Sequence, residues 1–157
     1  MNIVIDSIKD FFGNYILVSA LTGWFLAQII KIFICIFSKE KINIFKMLFS
    51  NGGMPSSHSA TVVALCTACG IKEGLASSAF AISLIFAAIV MIDASGVRYQ
   101  AGKQAQIINK IVKEIFSGKV EDFNTGLKEL IGHTPFQVFM GALLGIAIAV
   151  AYSFLIL

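Results

Sequence analysis

A histidine stands at the start of an apolar stretch in the segment GGMPSSHSA, residues 52–60. Pro55 suits the beginning of a helix, and Ser56 or Ser57 can serve as its N-cap. The free backbone N–H groups and the dipole of such a helix start attract an anion. His58 would lie within reach of that anion and could exchange a proton with it. The segment therefore predicts either an anion-binding reactive site or an ordinary capped helix with a hydrogen-bonded histidine.

The second histidine of the chain, His133, also precedes an apolar stretch and is followed by Thr134 and a proline. Thr134 or a neighbour could cap the helix that follows. Further along, Gly141 and Gly145 have the G-x-x-x-G spacing that is typical of a close contact between two membrane helices. His133 is thus a candidate for chemistry, whereas the two glycines are candidates for helix packing.

Two basic residues could supply positive charge to an anion near these histidines. Arg98 is the only arginine of the chain, and a guanidinium binds phosphate or carboxylate through two parallel hydrogen bonds. Arg98 could instead pair with Asp93 at the membrane interface. Lys31 lies near the end of an apolar stretch, where its charge must face protein, water or an anion, or extend to the interface. An anionic headgroup is the ligand that these residues together would fit.

Four apolar stretches must position these residues: 15–37, 55–71, 75–92 and 136–157. Only 13% of the side chains are charged and 57% are hydrophobic, which is too apolar for the surface of a soluble domain. Crossing a bilayer takes about 20 helical residues, so the first, third and fourth stretches are long enough. The second is either a short or tilted span or a re-entrant helix. We predict an all-α integral membrane protein, one domain over residues 1–157 with a bundle of about four transmembrane helices.

The loop between the third and fourth stretches contains an amphipathic pattern. Its apolar residues recur at helical spacing, with lysines and a glutamate between them; they are Ile107, Ile108, Ile111, Val112, Ile115 and Phe116. This pattern predicts an amphipathic helix that lies on the membrane surface or packs against the bundle.

The distribution of basic residues predicts the orientation. If all four stretches cross, the loops 38–54 and 93–135 share one side of the membrane and hold nine lysine or arginine residues, against Lys9 and Lys72 on the other side. Loops rich in lysine and arginine stay in the cytoplasm. The chain is therefore expected to be a multi-pass protein of the cell membrane, with its histidine segments facing the cytoplasm and both termini outside.

Composition excludes several other classes of function. The net charge is only +3 and no basic segment is interleaved with aromatic residues, so we expect no nucleic-acid partner. The three cysteines, Cys35, Cys66 and Cys69, lie within apolar stretches, and the chain has only two histidines. A zinc site is therefore not expected, and neither is another metal or cofactor.

Three segments in order, GGMPSSHSA, DASGVR and LKELIGHTPFQV, resemble the divergent branch of the type-2 phosphatidic acid phosphatase family. The resemblance runs from about Gln28 to Gly145, nearly the whole chain. It implies metal-independent hydrolysis of a lipid phosphate monoester, such as phosphatidate or a polyprenyl phosphate, by a helical membrane protein. The implied partners are a membrane lipid and its anionic phosphate headgroup.

The resemblance also implies a role for each candidate residue. His133 matches the nucleophile, which forms a phosphohistidine, and His58 matches the acid that protonates the leaving oxygen. The phosphate would be bound by four residues of the chain, which are Ser56, Ser57, Arg98 and Lys31.

The chain departs from the family pattern in ways that keep another function open. The family's Arg-Pro motif is absent, and Arg98 precedes His133 by many more residues than the corresponding arginine does. Gln137 replaces an aspartate that orients the nucleophile, a role that Asp93 or Glu129 could take over. A non-catalytic protein that binds or transports an anionic lipid or solute is therefore the alternative. Typical lipid phosphatases of the wider family also have more spans, which leaves a homo-oligomer open.

Overall fold

The computed structural model describes residues 2–37, 53–115 and 132–156. All regular secondary structure in these ranges is helical, which confirms the predicted all-α class. The helices are α1 (Asn2–Gly13), α2 (Tyr15–Phe37), α3 (Ser57–Glu73), α4 (Ser78–Ser95), α5 (Val97–Ile115) and α6 (Pro135–Ile156). Within the described ranges, three helical stretches are long and apolar enough to cross a membrane: Tyr15–Phe37, Ser78–Lys113 and Pro135–Ile156.

The helices follow the predicted apolar stretches closely, with one helix that the prediction missed. The bounds of α2, α3, α4 and α6 differ from the four predicted stretches by only a few residues, and α5 is the predicted amphipathic helix. Phe116, the last residue of its pattern, lies outside the described residues. The missed helix is α1, whose apolar residues Ile5, Ile8 and Phe12 recur at helical spacing. The crossing of the membrane by α3, or its re-entry, stays a prediction.

Helix α3 is the centre of the bundle and packs against α2, α4 and α6. Small residues make this possible, because a Cβ added at Gly23 of α2 would lie 2.9 Å from the carbonyl oxygen of Ala60. A Cβ at Gly145 of α6 would lie 2.6 Å from the same oxygen, and one at Gly141 would lie 2.9 Å from the Cβ of Ser59. Two helices thus approach the backbone of α3 from two sides. The predicted role of the G-x-x-x-G pair as a close helix contact is confirmed.

The outward faces of the other helices are lined with large apolar side chains. Ile85 on α4 is 62% exposed and Phe139 on α6 is 56% exposed. Such side chains suit contact with lipid, whereas the serines and threonines of α3 are largely enclosed by the neighbouring helices. This explains why α3 is the least apolar of the four stretches and yet lies at the core.

Helix α2 runs antiparallel to both α3 and α6. Near the start of α2, the Tyr15 hydroxyl donates a hydrogen bond of 2.7 Å to the carbonyl oxygen of Ala149, late in α6. Near the end of α2, the Lys31 side chain contacts Ser57 at the start of α3. The sequence motifs therefore meet at one end of the bundle. That this end faces the cytoplasm stays a prediction.

Candidate functional site

The first part of the site is the start of α3, which Ser56 caps. The Oγ of Ser56 accepts hydrogen bonds from the backbone N–H of Ser59, at 3.3 Å, and from the Ser59 hydroxyl, at 3.0 Å. The Ser56 backbone N–H donates to the carbonyl oxygen of Gln137, at 3.1 Å. Ser56 is fully buried, and it joins the starts of α3 and α6. The next residue, Ser57, begins the helix and turns its hydroxyl to α2.

A buried ammonium group lies beside this helix start. Lys31 is only 4% exposed, and its Nζ donates a hydrogen bond of 3.3 Å to Ser57 Oγ. The backbone of Gly53, whose φ of +90° suits glycine, lies over the lysine stem, because a Cβ there would be 3.6 Å from Lys31 Cδ. Within the described ranges no carboxylate lies at ion-pair distance from Lys31. A buried charge without a counter-ion costs free energy, and a bound anion would offset that cost.

The second buried group is His133, which is 2% exposed. Its backbone N–H donates to the carbonyl oxygen of Ala94 at the end of α4, at 3.2 Å. Its Nε2 is buried and makes no hydrogen bond with any described residue. Burial, followed by the positive charges of Lys31, His58 and Arg98 in that order of effect, lowers the pKa of His133 to about 4. His133 is therefore neutral at pH 7, which keeps one ring nitrogen available as a nucleophile.

The loop that carries His133 is held against the junction of α4 and α5. Gly132 packs directly on the backbone of Arg98 and Tyr99, and a Cβ added there would lie 2.8 Å from the Tyr99 Cα. Any side chain at position 132 would therefore push the loop away from α5. The close approach of these two backbones fixes His133 relative to the segment that carries Arg98.

Two further predicted residues lie at the outer surface of the site. His58 is exposed, and its ring centroid is 6.2 Å from that of His133, with the ring planes at 80°. Arg98 is also exposed, and its Nε donates a hydrogen bond of 2.6 Å to Asp93 Oδ2. The structure thus brings both histidines together, with Lys31 and Ser57 buried below. Arg98 pairs with Asp93, and its charge acts on His133.

Gln137 has a role that the sequence analysis missed. Its side-chain oxygen accepts a hydrogen bond from the backbone N–H of Thr134, at 3.0 Å, and its own backbone N–H donates to Thr134 Oγ1, at 3.3 Å. These reciprocal bonds form a capping box at the start of α6, and the T-x-x-Q spacing was the signal for it. The orientation of His133 by Gln137 or Asp93 stays a prediction, and Glu129 lies outside the described residues.

The described ranges contain no group of three or more histidine, cysteine, aspartate or glutamate side chains that could hold a metal ion. The groups that could act on a ligand here are therefore the two imidazoles, the buried ammonium, the serine hydroxyls and the exposed guanidinium. Together they form an electropositive site with one neutral, buried imidazole, which suits a phosphate group.

The chain is similar to a known protein family and to a curated membrane protein. The model of the divergent PAP2 family matches residues 12–148. A membrane protein of Bacillus subtilis (strain 168) named YuiD is 44% identical over 154 residues, which cover 90% of this chain and 97% of the relative. No solved structure matches the chain.

Proposed function

The chain belongs to the divergent PAP2 family of membrane proteins, and from this premise we propose that it hydrolyses a lipid phosphate monoester through a phosphohistidine at His133. The observation that carries the proposal is the environment of His133. Its Nε2 is buried without a hydrogen-bond partner among the described residues, and it shares the site with buried Lys31 and exposed His58. A buried polar atom without a partner costs free energy unless something binds to it.

The phosphate would be held at the start of α3. Its charge would offset that of Lys31, which has no carboxylate partner in the described ranges, and Ser57 would move from lysine to ligand or bridge the two. Backbone N–H groups at the first turn of α3 add positive potential. We assign a further oxygen of the phosphate to the Nη groups of Arg98, since the hydrogen bond to Asp93 is made by its Nε.

In the first chemical step, the lone pair of His133 Nε2 attacks phosphorus while the bond from phosphorus to the lipid oxygen breaks. Protonated His58 donates its proton to that oxygen, so that the lipid leaves as an alcohol. In the second step, neutral His58 accepts a proton from water as the water oxygen attacks the phosphohistidine. The bond from phosphorus to nitrogen breaks, and inorganic phosphate and neutral His133 are regenerated.

One observation favours the alternative, a non-catalytic protein that binds or transports an anionic lipid or solute. Within the described ranges, no carboxylate lies at ion-pair distance from either histidine, and Gln137 is engaged in capping α6. A histidine nucleophile without an acidic partner is less strongly oriented, and its cationic product is less stabilised. On this alternative the site would bind a phosphate headgroup without turning it over.

The experiment that separates the two is phosphate release by the purified, detergent-solubilised protein. Phosphatidate and polyprenyl phosphates are offered without added metal, with vanadate as an inhibitor and His133→Ala in parallel. We expect release that vanadate inhibits and that the variant loses. Headgroup binding without turnover, unchanged in His133→Asn, would contradict the phosphatase and support the alternative.

The proposal also includes placement and assembly. We propose that the site faces the cytoplasm and that both termini lie outside, since basic loops are retained in the cytoplasm. A single cysteine introduced at Lys103 on α5 tests this, because a membrane-impermeant reagent should label it only after the membrane is opened. Labelling in intact cells would overturn the orientation. A homo-oligomer is compatible with this arrangement and would be measured as the mass of the protein in detergent.

A further inference from the structure

The central helix α3 is covered on only part of its circumference. It packs against α2, α6 and α4, and α6 in turn contacts both α2 and α4. Within the described ranges, however, α2 and α4 make no contact with each other. The described helices therefore leave one side of α3 open, between α2 and α4.

The helical repeat identifies the residues on this open side, since successive positions are about 100° apart. Ala60 and Ala64 face α2, because both lie under Gly23. On another side, Val62 and Cys66 pack with residues of α4. The side between these two pairs carries His58, Thr61 and Leu65.

Exposure agrees with this assignment. His58 is exposed, whereas Thr61 and Leu65 are half-buried. Apart from these three and Thr67, every residue of α3 from position 57 to position 69 is buried. The Thr61 hydroxyl donates a hydrogen bond of 2.7 Å to the carbonyl oxygen of Ser57, so its polar group is already satisfied. Below His58 the open side is consequently apolar.

We propose that this groove, formed by His58, Thr61 and Leu65 between α2 and α4, binds the proximal part of the hydrocarbon chain of the lipid phosphate. The proposal rests on the proposed function and specifies where its substrate lies. From His58 to Leu65 the helix rises about 10 Å. The groove therefore leads from the phosphate site towards the level of the bilayer at which hydrocarbon chains lie. The substrate would enter the groove laterally from the bilayer.

A lipid chain fits this groove better than a second copy of the protein does. The groove ends at His58, whose ring is 6.2 Å from that of His133. A helix of a second copy packed along it would cover the exposed imidazole and close the path to the site. A hydrocarbon chain instead leaves the headgroup end free, since the phosphate to which it is attached must lie at the histidines.

The test blocks the groove and compares two phosphate monoesters of different length. Leu65→Trp places a large side chain in the groove, and Ile85→Trp is the control, because Ile85 is 62% exposed on the outward face of α4. The substrates are dioleoyl phosphatidate and p-nitrophenyl phosphate, which has no hydrocarbon chain. We expect Leu65→Trp to lower kcat/KM for phosphatidate at least tenfold and to leave that for p-nitrophenyl phosphate within twofold of wild type. Ile85→Trp should change neither.

Equal losses of kcat/KM on both substrates in Leu65→Trp, or no loss on either, would contradict the proposal that the groove binds the hydrocarbon chain. Efficient disulfide formation between copies that carry Leu65→Cys, beyond that of the wild-type protein, would do the same, because it would place a second copy there.

If the wild-type protein hydrolyses neither substrate, the proposed function is refuted. The groove can then still be tested by a binding measurement. A phosphatidate with a photoactivatable group near its carbonyl should then label α3, with the labelling reduced in Leu65→Trp and not in Ile85→Trp. Labelling that is the same in all three proteins, or that misses α3, would contradict the groove.

Discussion

The two histidines stand at similar places in the sequence and in very different places in the structure. Each lies at the start of a helix, within three residues of a proline. His133 is enclosed by the α4–α5 junction and the starts of α3 and α6, and only 2% of it is exposed. His58 is open to the surroundings, although the two ring centroids are only 6.2 Å apart. Tertiary packing, and not the local motif, therefore distinguishes them.

This difference in burial suits the different roles that we propose for the two histidines. A nucleophilic histidine must be neutral, and burial together with nearby positive charges lowers the pKa of His133 to about 4. A histidine that gives up a proton in one step and accepts one from water in the next must be accessible to water, as exposed His58 is. The proposed roles thus follow from the environment of each histidine. Substitutions in the site should therefore change activity, ligand binding or stability in predictable ways.

The largest effect is expected from removing the buried histidine. His133→Ala should lower phosphate release by at least about 10³-fold, because the atom that forms the bond to phosphorus is lost. Steady-state release from a lipid phosphate checks this, with Lys72→Met, at the opposite end of α3, as a control that should retain full activity. Activity within tenfold of wild type in His133→Ala would remove this residue from the mechanism.

Removing the exposed histidine should cost less, and the cost should depend on the substrate. His58→Ala is expected to lower the rate with a lipid phosphate by about 10²- to 10⁴-fold, the usual contribution of general acid–base catalysis. With p-nitrophenyl phosphate the loss in the first step should be smaller, because nitrophenolate leaves without protonation. Pre-steady-state measurement of nitrophenol release separates the two steps. Equal losses with both leaving groups in the first step would contradict the role of His58 as the acid.

Lys31 extends the comparison, since it is a second buried group of the site and the proposed function assigns its charge to a ligand. Lys31→Met should raise KM or the dissociation constant for phosphate by about tenfold or more, and it should raise the thermal stability of the free protein. The second effect follows because a buried ammonium without a described carboxylate partner is removed from the apolar interior.

Lys72→Met is the matched control for both measurements, because Lys72 is exposed in the last turn of α3. It should change neither phosphate affinity nor melting temperature appreciably. A Lys31→Met protein that is less stable and binds phosphate normally would show that Lys31 has a structural role only.

The last prediction concerns stability as a function of pH and does not require activity. The pKa of His133 falls from 6.5 to about 4 on folding, so the unfolded chain binds the proton more readily. The contribution of neutral His133 to stability is complete above about pH 6.5 and is lost as the pH falls towards 4, by on the order of a few kcal/mol. His133→Gln should show a flatter melting profile between pH 6.5 and pH 4.5. Parallel profiles in the two proteins would mean that His133 is not buried as described.

Much of the helical framework follows from the sequence because the apolar stretches are long. The bounds of α2, α4 and α6 follow long, mainly apolar stretches, which have few structural solutions in a membrane. The small residues Gly141 and Gly145 likewise indicate a close contact, although not its partner. Helix α3 shows the limit, because its serines and threonines suggest a marginal span, whereas it packs against three other helices at the centre of the bundle.

The sequence predicted which residues belong to the site better than it predicted their arrangement. Helix-start motifs and a family resemblance predict His58, His133 and Ser56, but burial depends on contacts between distant segments. The packing of Gly132 on the backbone of Arg98 and Tyr99 could not be predicted from spacing. The capping role of Gln137 could have been predicted from its spacing to Thr134. The family resemblance instead led to Gln137 being interpreted as a replacement for an aspartate.

The most direct test of the central claim is to trap the covalent intermediate. Wild-type protein is mixed with a lipid phosphate labelled in its phosphoryl group, quenched within milliseconds to seconds, and examined for bound label and its position. The proposed mechanism predicts an acid-labile, base-stable phosphoryl group on His133 that is absent in His133→Ala. Phosphate release without such a species, or with the label on another residue, would contradict the account.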